Sequence, residues 1–286
     1  MQVRINDTEL FYTTIGQGRP LLLMHGIEFD HTYLRPWLDA LGDVAQLIYY
    51  DHRGHGRSAK PDDFAKISHQ TWIDDAEALR RHLGYERMIL FGHSYGGFLA
   101  QEYALCYGDR LDGLILCDTA PAMDYQEVMM ANAQARATPG QLSTIMSAFS
   151  GPVSDDAAIR QIWMEILPLY FHNYDPQVGA AMDEQMVYSA EAFNQAFFCC
   201  LPNFNTLSRL SEISTPILVL AGRHDWITPP REGAERLHEA LPNSKSVIFE
   251  NSGHFPFIEE HSKFIRVVTE WLANLPSDLG TANRTA

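Results

Sequence analysis

Basic residues are scarce in this chain of 286 residues, which has 21 lysines and arginines against 36 aspartates and glutamates. The formal net charge of −15 disfavours binding to nucleic acids and to anionic membranes, because the phosphate groups of both repel it. No apolar run reaches the roughly 18 residues of a membrane span, and the N-terminus has no signal-peptide block. We therefore expect a cytoplasmic protein without nucleic-acid or membrane partners.

Cysteine is rare as well, and the chain has four: Cys106, Cys117, Cys199 and Cys200. They form no C-x-x-C motif, and the last two are adjacent in a helical stretch, where a structural disulfide is geometrically unfavourable. Three histidines near the N-terminus, His25, His52 and His55, lack the ligand spacing of zinc motifs. We expect no metal and no cofactor.

The segment Gly92-His93-Ser94-Tyr95-Gly96 fits the pattern G-x-S-x-G. Alone, this pattern is also compatible with an ordinary tight turn. Here the apolar run 88–91 precedes it and a helical pattern follows, which is the strand–turn–helix context of a nucleophile elbow. The two glycines permit the sharp turn. Ser94 is the predicted nucleophile, and the N–H of Tyr95 is a predicted oxyanion donor.

Two downstream segments supply an acid and a base. Asp225 follows the apolar run 216–222, and His254 follows the strand-like segment 246–250. The order Ser, Asp, His is typical of α/β-hydrolases, and strand carboxyl ends are where such sheets place their chemistry. His254 would accept the serine proton and Asp225 would orient it. Taken singly, Asp225 and His254 would each also fit an ordinary loop residue. Asp118, at the end of another apolar run, is the alternative candidate for the acid.

A second oxyanion donor is expected in the loop after an earlier strand. The apolar run 21–24 is that strand, and His25-Gly26-Ile27 follows it. The N–H of Ile27 is the predicted donor, since Gly26 permits close approach of the backbone to the substrate. The segment also fits a plain strand exit.

Alternating strand-like and helical segments predict an α/β fold, with a mostly parallel sheet covered by helices on both faces. The expected strands lie near 2–6, 9–15, 20–24, 44–50, 88–91, 112–118, 215–221 and 245–250, and a helix is expected near 32–41. Residues 121–205 interrupt the alternation and are helical. We expect a core formed by 1–120 and 206–276, a helical cap over 121–205, and a disordered tail over 277–286.

These motifs together resemble the proline iminopeptidase-like branch of the α/β-hydrolase superfamily. The matching segments are His25-Gly26, Asp51-His52-Arg53-Gly54-His55-Gly56-Arg57-Ser58, the serine motif, Gly222-Arg223-His224-Asp225 and Gly253-His254. The resemblance implies an α/β-hydrolase fold with a helical cap and the roles assigned above to Ser94, Asp225 and His254. That family removes N-terminal residues, proline best.

The resemblance also implies cap acids that hold a free amine of the substrate. The candidates here are Glu165, Asp183, Glu184 and Glu191. In one segment the chain departs from the family, whose oxyanion loop usually reads His-Gly-Gly-Pro-Gly, where this chain has residues 25–30, His-Gly-Ile-Glu-Phe-Asp.

Methionine and aromatic residues are frequent in 121–205, as in adaptable apolar pockets. Most should pack the cap helices together, but some should face the cleft. Five residues are predicted to contact substrate: His25, Phe149, Tyr170, Glu184 and Phe198. An apolar, enclosed cleft favours a small uncharged acyl group.

The sequence therefore predicts a serine hydrolase that cleaves a small carboxylic ester, lactone or amide through an acyl-enzyme. A proline iminopeptidase is the alternative, and a non-catalytic ligand receptor on the same fold is a third. The partner is a small-molecule substrate; no oligomeric state is predicted.

Overall fold

Eight strands form one sheet in the computed structural model, which describes residues 1–276. They are β1 (Gln2–Ile5), β2 (Thr8–Ile15), β3 (Pro20–Met24), β4 (Gln46–Tyr50), β5 (Met88–His93), β6 (Leu111–Cys117), β7 (Ile217–Gly222) and β8 (Ser244–Phe249). Their order is β1-β2-β4-β3-β5-β6-β7-β8. The strands β3 to β8 run parallel to one another, whereas β2 pairs antiparallel with both of its neighbours, β1 and β4. The predicted, mostly parallel sheet is confirmed, whereas the expected tail 277–286 lies outside the described residues.

Helices surround this sheet, as expected. They are α1 (His69–His82), α2 (Tyr95–Tyr107), α3 (Gln126–Arg136), α4 (Pro139–Ser150), α5 (Asp156–Ile166), α6 (Pro176–Gln185), α7 (Ala190–Asn194), α8 (Arg236–Ala240), α9 (Pro256–Glu259) and α10 (His261–Ala273). Every residue of β5, β6 and β7 is buried, because central parallel strands are covered on both faces. Within residues 1–276, no helix has the length and apolar character to cross a lipid bilayer.

The helix expected near 32–41 does not form. Two short 3₁₀ turns take its place, His31–Tyr33 and Asp39–Asp43. Pro36 lies between them, and proline has no N–H to donate and disfavours helical geometry in the residue before it. The apolar spacing does mark core residues, since Leu34, Leu38 and Leu41 are all fully buried. The backbone that carries them forms 3₁₀ turns instead of an α-helix.

Residues 121–205, here called the inserted segment, leave the sheet after β6 and return before β7. They contain α3 to α7 and a π-helix at Gln195–Cys200. The two ends lie side by side, because Ala122 and Asn205 form an antiparallel bridge and the N–H of Thr206 donates to the carbonyl of Pro121 at 2.8 Å. The geometry is compatible with a cap, and the division into core and cap stays a prediction.

The carboxyl ends of the parallel strands meet at one edge of the sheet, and this positions the functional candidates. The strand β5 ends at His93, β7 at Gly222 and β8 at Phe249. Ser94, Asp225 and His254 follow these ends by a few residues, so loops far apart in the sequence converge there.

Candidate active site

Ser94 occupies the corner between β5 and α2. Its backbone angles are φ 55° and ψ −120°, a region that side-chain-bearing residues rarely adopt. A Cβ atom at Gly92 would collide with the backbone of Gly96, and one at Gly96 would collide with the carbonyl of Met24. The turn therefore requires glycine at both positions, and it brings the serine side chain to the wall of the cavity described below.

Asp225 and His254 are joined by a short hydrogen bond. The distance from His254 Nδ1 to Asp225 Oδ2 is 2.7 Å, and both side chains are almost completely buried. Asp225 also accepts bonds from the N–H of Ile227 at 2.9 Å and from the N–H and hydroxyl of Thr228. Burial opposes ionisation of Asp225, but the charge and hydrogen bonds of His254 and Thr228 outweigh it and lower the pKa of Asp225.

The loop that carries His254 is held from two sides. The backbone N–H of His254 donates to the carbonyl of Tyr170 in the inserted segment at 2.6 Å, and the carbonyl of His254 accepts from His93 Nε2 at 2.8 Å. The other ring nitrogen of His93 lies 2.7 Å from the Tyr33 hydroxyl, which in turn accepts from the N–H of Gly26. One chain of hydrogen bonds thus links the loop of the predicted oxyanion donor Ile27 to His254, the predicted base. The sequence analysis missed both His93 and Tyr33, because G-x-S-x-G leaves the position of His93 open.

Asp118, the rival acid, is fully buried behind Asp225. It accepts from the N–H of Gly222 at 2.8 Å and from the thiol of Cys117 at 3.2 Å. Burial and the charge of Asp225 raise the pKa of Asp118 well above its ordinary value. The structure gives Asp225, rather than Asp118, the bond to the histidine.

The oxyanion loop after β3 is fixed by three histidines. His55 Nε2 lies 2.9 Å from the carbonyl of Ile27, and His52 Nε2 lies 3.3 Å from that of His25. His25 Nδ1 is 2.8 Å from the carbonyl of Gly26, and its Nε2 accepts from the N–H of His52 at 3.0 Å. Burial and the nearby His55 lower the pKa of His25 to about 3, so its imidazole is neutral. These three imidazole rings therefore hold the backbone carbonyls of residues 25–27 in place.

A cavity of about 60 Å³ lies between the strand ends and the inserted segment. Its wall contains Ser94, the N-terminal residue Tyr95 of α2, His254 and Ile27. The remaining lining residues are Glu28, Phe29, Phe98, Met123, Tyr125, Met129, Ala148, Phe149, Ile159, Ile162, Trp163, Ile166, Tyr170, Phe193, Phe197, Leu201, Ile227 and Thr228. All four predicted chemical groups therefore meet one apolar cavity.

The predicted substrate contacts divide into two groups. Phe149 and Tyr170 line the cavity. Phe198 does not: its ring packs against Phe193 and Phe197, which both line the cavity. His25 does not line the cavity, and its ring instead bonds the carbonyl of Gly26. Glu184 is exposed, because α6 buries only its other face, through Gly179 and Met182.

Glu28 is the acidic residue that lines the cavity, and sequence reasoning missed it. It lies in the turn after Ile27, partly buried, and burial raises the pKa of its carboxyl to about 7. The departure of residues 25–30 from the family pattern was the available signal. The four acids considered for amine binding, Glu165, Asp183, Glu184 and Glu191, are absent from the cavity wall.

Metal-ligating side chains also cluster near the site. The ligand atoms of Asp30, His31 and Asp51 lie within 4.8 Å of one another, as do those of Asp118, Asp225 and His254. Protein donors occupy both clusters. His31 Nδ1 is 2.7 Å from Asp51, and Asp30 accepts from Arg57 at 2.8 Å.

The chain matches the sequence model of the alpha/beta hydrolase family over residues 21–267. It is similar to the proline iminopeptidase PfmaB of Pestalotiopsis fici, with 28% identity over 281 residues that cover 94% of this chain and 98% of that protein. The resemblance inferred from the sequence motifs is thereby confirmed.

Solved structures show the same architecture. A thermophilic esterase from Thermogutta terrifontis superposes with a TM-score of 0.75 at 28% identity and covers 94% of each chain. The enol-lactonase from Burkholderia xenovorans LB400 superposes with a TM-score of 0.77 at 23% identity, covers 96% of this chain and 100% of that chain, and shows likeness of fold alone. The chain belongs to the alpha/beta hydrolase family of enzymes.

Proposed function

We propose that the protein is a serine hydrolase that cleaves a small carboxylic ester, lactone or amide. The observation that carries this proposal is the 2.7 Å bond between His254 and Asp225 at a cavity whose wall also contains Ser94 on its strained turn. A buried, ionised carboxylate on Nδ1 holds the imidazole in the tautomer that leaves Nε2 free to accept a proton.

The proposed reaction runs in two steps. Ser94 attacks the substrate carbonyl while His254 takes its proton, and the imidazolium then protonates the leaving group. Water then attacks the acyl carbonyl while His254 takes its proton, and the imidazolium returns that proton to the Ser94 oxygen as the acyl group leaves as a carboxylic acid. The N–H groups of Ile27 and Tyr95 stabilise the negative oxygen that forms in each step, a contribution worth about 10²–10³ in rate per donor.

The size of the cavity favours a small acyl group. Its volume of about 60 Å³ is well below the roughly 150 Å³ of an engineered protein cavity that binds benzene. An acyl group of a few carbon atoms fits without large movement, whereas an aromatic acyl group would require the inserted segment to shift.

The proline iminopeptidases among the relatives make that activity the second candidate. The cavity offers one acid to a substrate amine, Glu28, and it belongs to the oxyanion loop. Of the four acids considered in the inserted segment, Asp183 is already paired with Arg160 and bonded to Tyr188. This arrangement favours an ester, lactone or small amide over an N-terminal peptide.

The test compares kcat/KM for p-nitrophenyl butanoate and prolyl-β-naphthylamide on one preparation. We expect the ester to be the better substrate, and preference for the prolyl amide would select the iminopeptidase. Ser94→Ala should lower kcat by several orders of magnitude while leaving the circular dichroism spectrum unchanged. Near-normal turnover by Ser94→Ala would reject the mechanism, and failure of the wild-type protein to react with a fluorophosphonate would favour a non-catalytic receptor.

A further inference from the structure

Glu28 is a partly buried functional group that the proposed triad leaves unused. It directly follows Ile27 and lines the cavity together with Ser94 and His254. Within residues 1–276, no lysine or arginine acts on its carboxyl group, whose only favourable interaction is with its own backbone. This carboxyl group, without a counter-ion at an apolar cavity, is free to bond a polar group of a substrate that fills the cavity.

Trp163 provides a second unpaired group near Glu28. Its side chain is 1% exposed, and its indole N–H has no hydrogen-bond partner among the described residues. The ring centre of Trp163 lies 4.5 Å from that of Phe29, which follows Glu28 in the chain, and 4.8 Å from that of Tyr170. The pKa of Tyr170 is raised by burial and by the charge of Glu28, which places that carboxyl within electrostatic range. Glu28 and Trp163 both line the cavity.

The neutral form of Glu28 suits the chemistry beside it. Burial raises the pKa of its carboxyl to about 7, so the group keeps its proton under mildly acidic conditions. An ionised carboxylate next to the oxyanion donor would oppose the negative charge that develops on the substrate. Two lining residues of the cavity thus carry an unpaired hydrogen-bond donor, the O–H of neutral Glu28 and the buried indole N–H of Trp163.

We propose that Glu28 and Trp163 form a subsite that recognises an uncharged oxygen, such as a hydroxyl, in the acyl group held against Ser94. The proposal rests on the proposed function, since it takes Ser94 as the nucleophile. Sites with buried polar groups reject analogues that leave those groups unpaired far more strongly than apolar pockets reject an extra methylene.

Three p-nitrophenyl esters of equal acyl size test the subsite. Butanoate, 3-hydroxypropanoate and β-alaninate end in a methyl, a hydroxyl and an ammonium group, respectively. Each kcat/KM is divided by the rate constant for alkaline hydrolysis, which removes differences in intrinsic reactivity. At pH 6.5 we expect the hydroxy ester to exceed the butanoate by about tenfold or more.

Variants then assign the preference. Glu28→Gln keeps a donor and should retain most of the hydroxyl preference, whereas Glu28→Met should reduce the ratio of hydroxy ester to butanoate towards one. Trp163→Phe should reduce it in part. Glu239→Gln, on the exposed surface of α8, is the matched control and should leave the ratio unchanged.

The pH profile of this ratio distinguishes recognition from mere packing. In the wild-type protein the ratio should fall as the pH rises past about 7, because Glu28 loses its proton, and Glu28→Gln should show no such fall. The other titratable groups here are Tyr33, Tyr170 and Tyr188, whose pKa values burial raises, and His254. The tyrosines stay neutral, and His254 acts on all three esters alike and cancels in the ratio.

Several results would overturn the proposal. They are a wild-type ratio of one or less, a ratio that Glu28→Met leaves intact, or a preference for β-alaninate, which would assign the subsite to a cation. Failure of the proposed function is separate, because it would appear as loss of hydrolysis of all three esters or as turnover by Ser94→Ala. Titration of Ser94→Ala with 3-hydroxypropanamide and butanamide, followed by nuclear magnetic resonance, then tests the subsite without catalysis.

Discussion

Asp118 and Asp225 are two buried carboxyl groups that lie close together, one of them neutral and the other ionised. Asp225 is ionised through its bonds to His254 and Thr228, and its pKa is low. Asp118 has a strongly raised pKa because it is buried next to that charge. Two such groups cannot both ionise without a large repulsion, so the pair carries one negative charge, and it lies on the residue that faces the histidine.

We therefore predict unequal effects of the two amide substitutions. Asp225→Asn removes the charge that orients His254 and should lower kcat by about 10³–10⁴. Asp118→Asn replaces a neutral acid with a neutral amide of the same shape and should lower kcat less than tenfold. Steady-state kinetics with p-nitrophenyl butanoate measures both, with thermal unfolding as the control for folding. The reverse order would make Asp118 the functional acid.

Glu28 also has a consequence for stability. Its pKa is raised by burial from an ordinary 4.5 to about 7, so between these values the folded protein binds a proton that the unfolded chain has released. Stability contributed by this group is then lost as the pH rises through this window, and the loss is complete above pH 7. Glu28→Gln cannot ionise, and it should raise Tm at pH 8 by a few degrees but have little effect near pH 4.5. Equal Tm differences at both pH values would contradict this.

At the scale of elements, the oxyanion loop is tied to the inserted segment through Asp30. This fully buried carboxylate accepts from Arg57 at 2.8 Å and from the N–H of Val187 at 3.0 Å. Arg57 also donates to the carbonyl of Gln185 at 3.0 Å. The stretch between α6 and α7 is thus fixed to the residues that follow Ile27, the proposed oxyanion donor, and movement of one would disturb the other.

Arg57→Met should loosen this connection. Hydrogen bonds to a buried charge are worth about 1.5–3 kcal/mol, so Tm should fall by several degrees. Arg209→Met is the control, because Arg209 and its partner Glu212 are both about half exposed and exposed pairs contribute little to stability. Amide hydrogen exchange should increase at residues 185–188 in Arg57→Met alone. Equal losses of Tm in the two variants would show that Asp30 does not connect the loop after β3 to the inserted segment.

Helical periodicity predicted which elements surround the cavity better than which side chains enter it. Phe197 lines the cavity and Phe198 does not, although either suits an apolar face. Both lie in the π-helix Gln195–Cys200, whose bonds span five residues instead of four, so a periodicity of 3.6 residues assigns its faces incorrectly. The turns around Pro36 are a similar case, because the apolar spacing there does not specify how the backbone is bonded.

Over the whole molecule, the convergence of loops could be predicted because it follows from the parallel sheet. Ser94, Asp225 and His254 each follow an apolar strand, and parallel order brings those ends together. Glu28 could not be predicted in this way. Its position follows from the course of a short turn, and the cavity that it lines is completed by side chains from the inserted segment, most of them more than a hundred residues away in the sequence.

The net charge of −15 leads to a prediction for the whole chain. An excess of like charges opposes the compact state, and salt screens that repulsion over about 10 Å at 0.1 M. An ion pair with a buried member, such as Asp30 with Arg57, is screened little. Repulsion between surface charges should therefore respond to salt more than attraction does.

Raising NaCl from about 20 mM to about 0.5 M at pH 8 should increase Tm by a few degrees. A decrease would mean that exposed pairs such as Arg209 with Glu212 contribute more than the net charge costs.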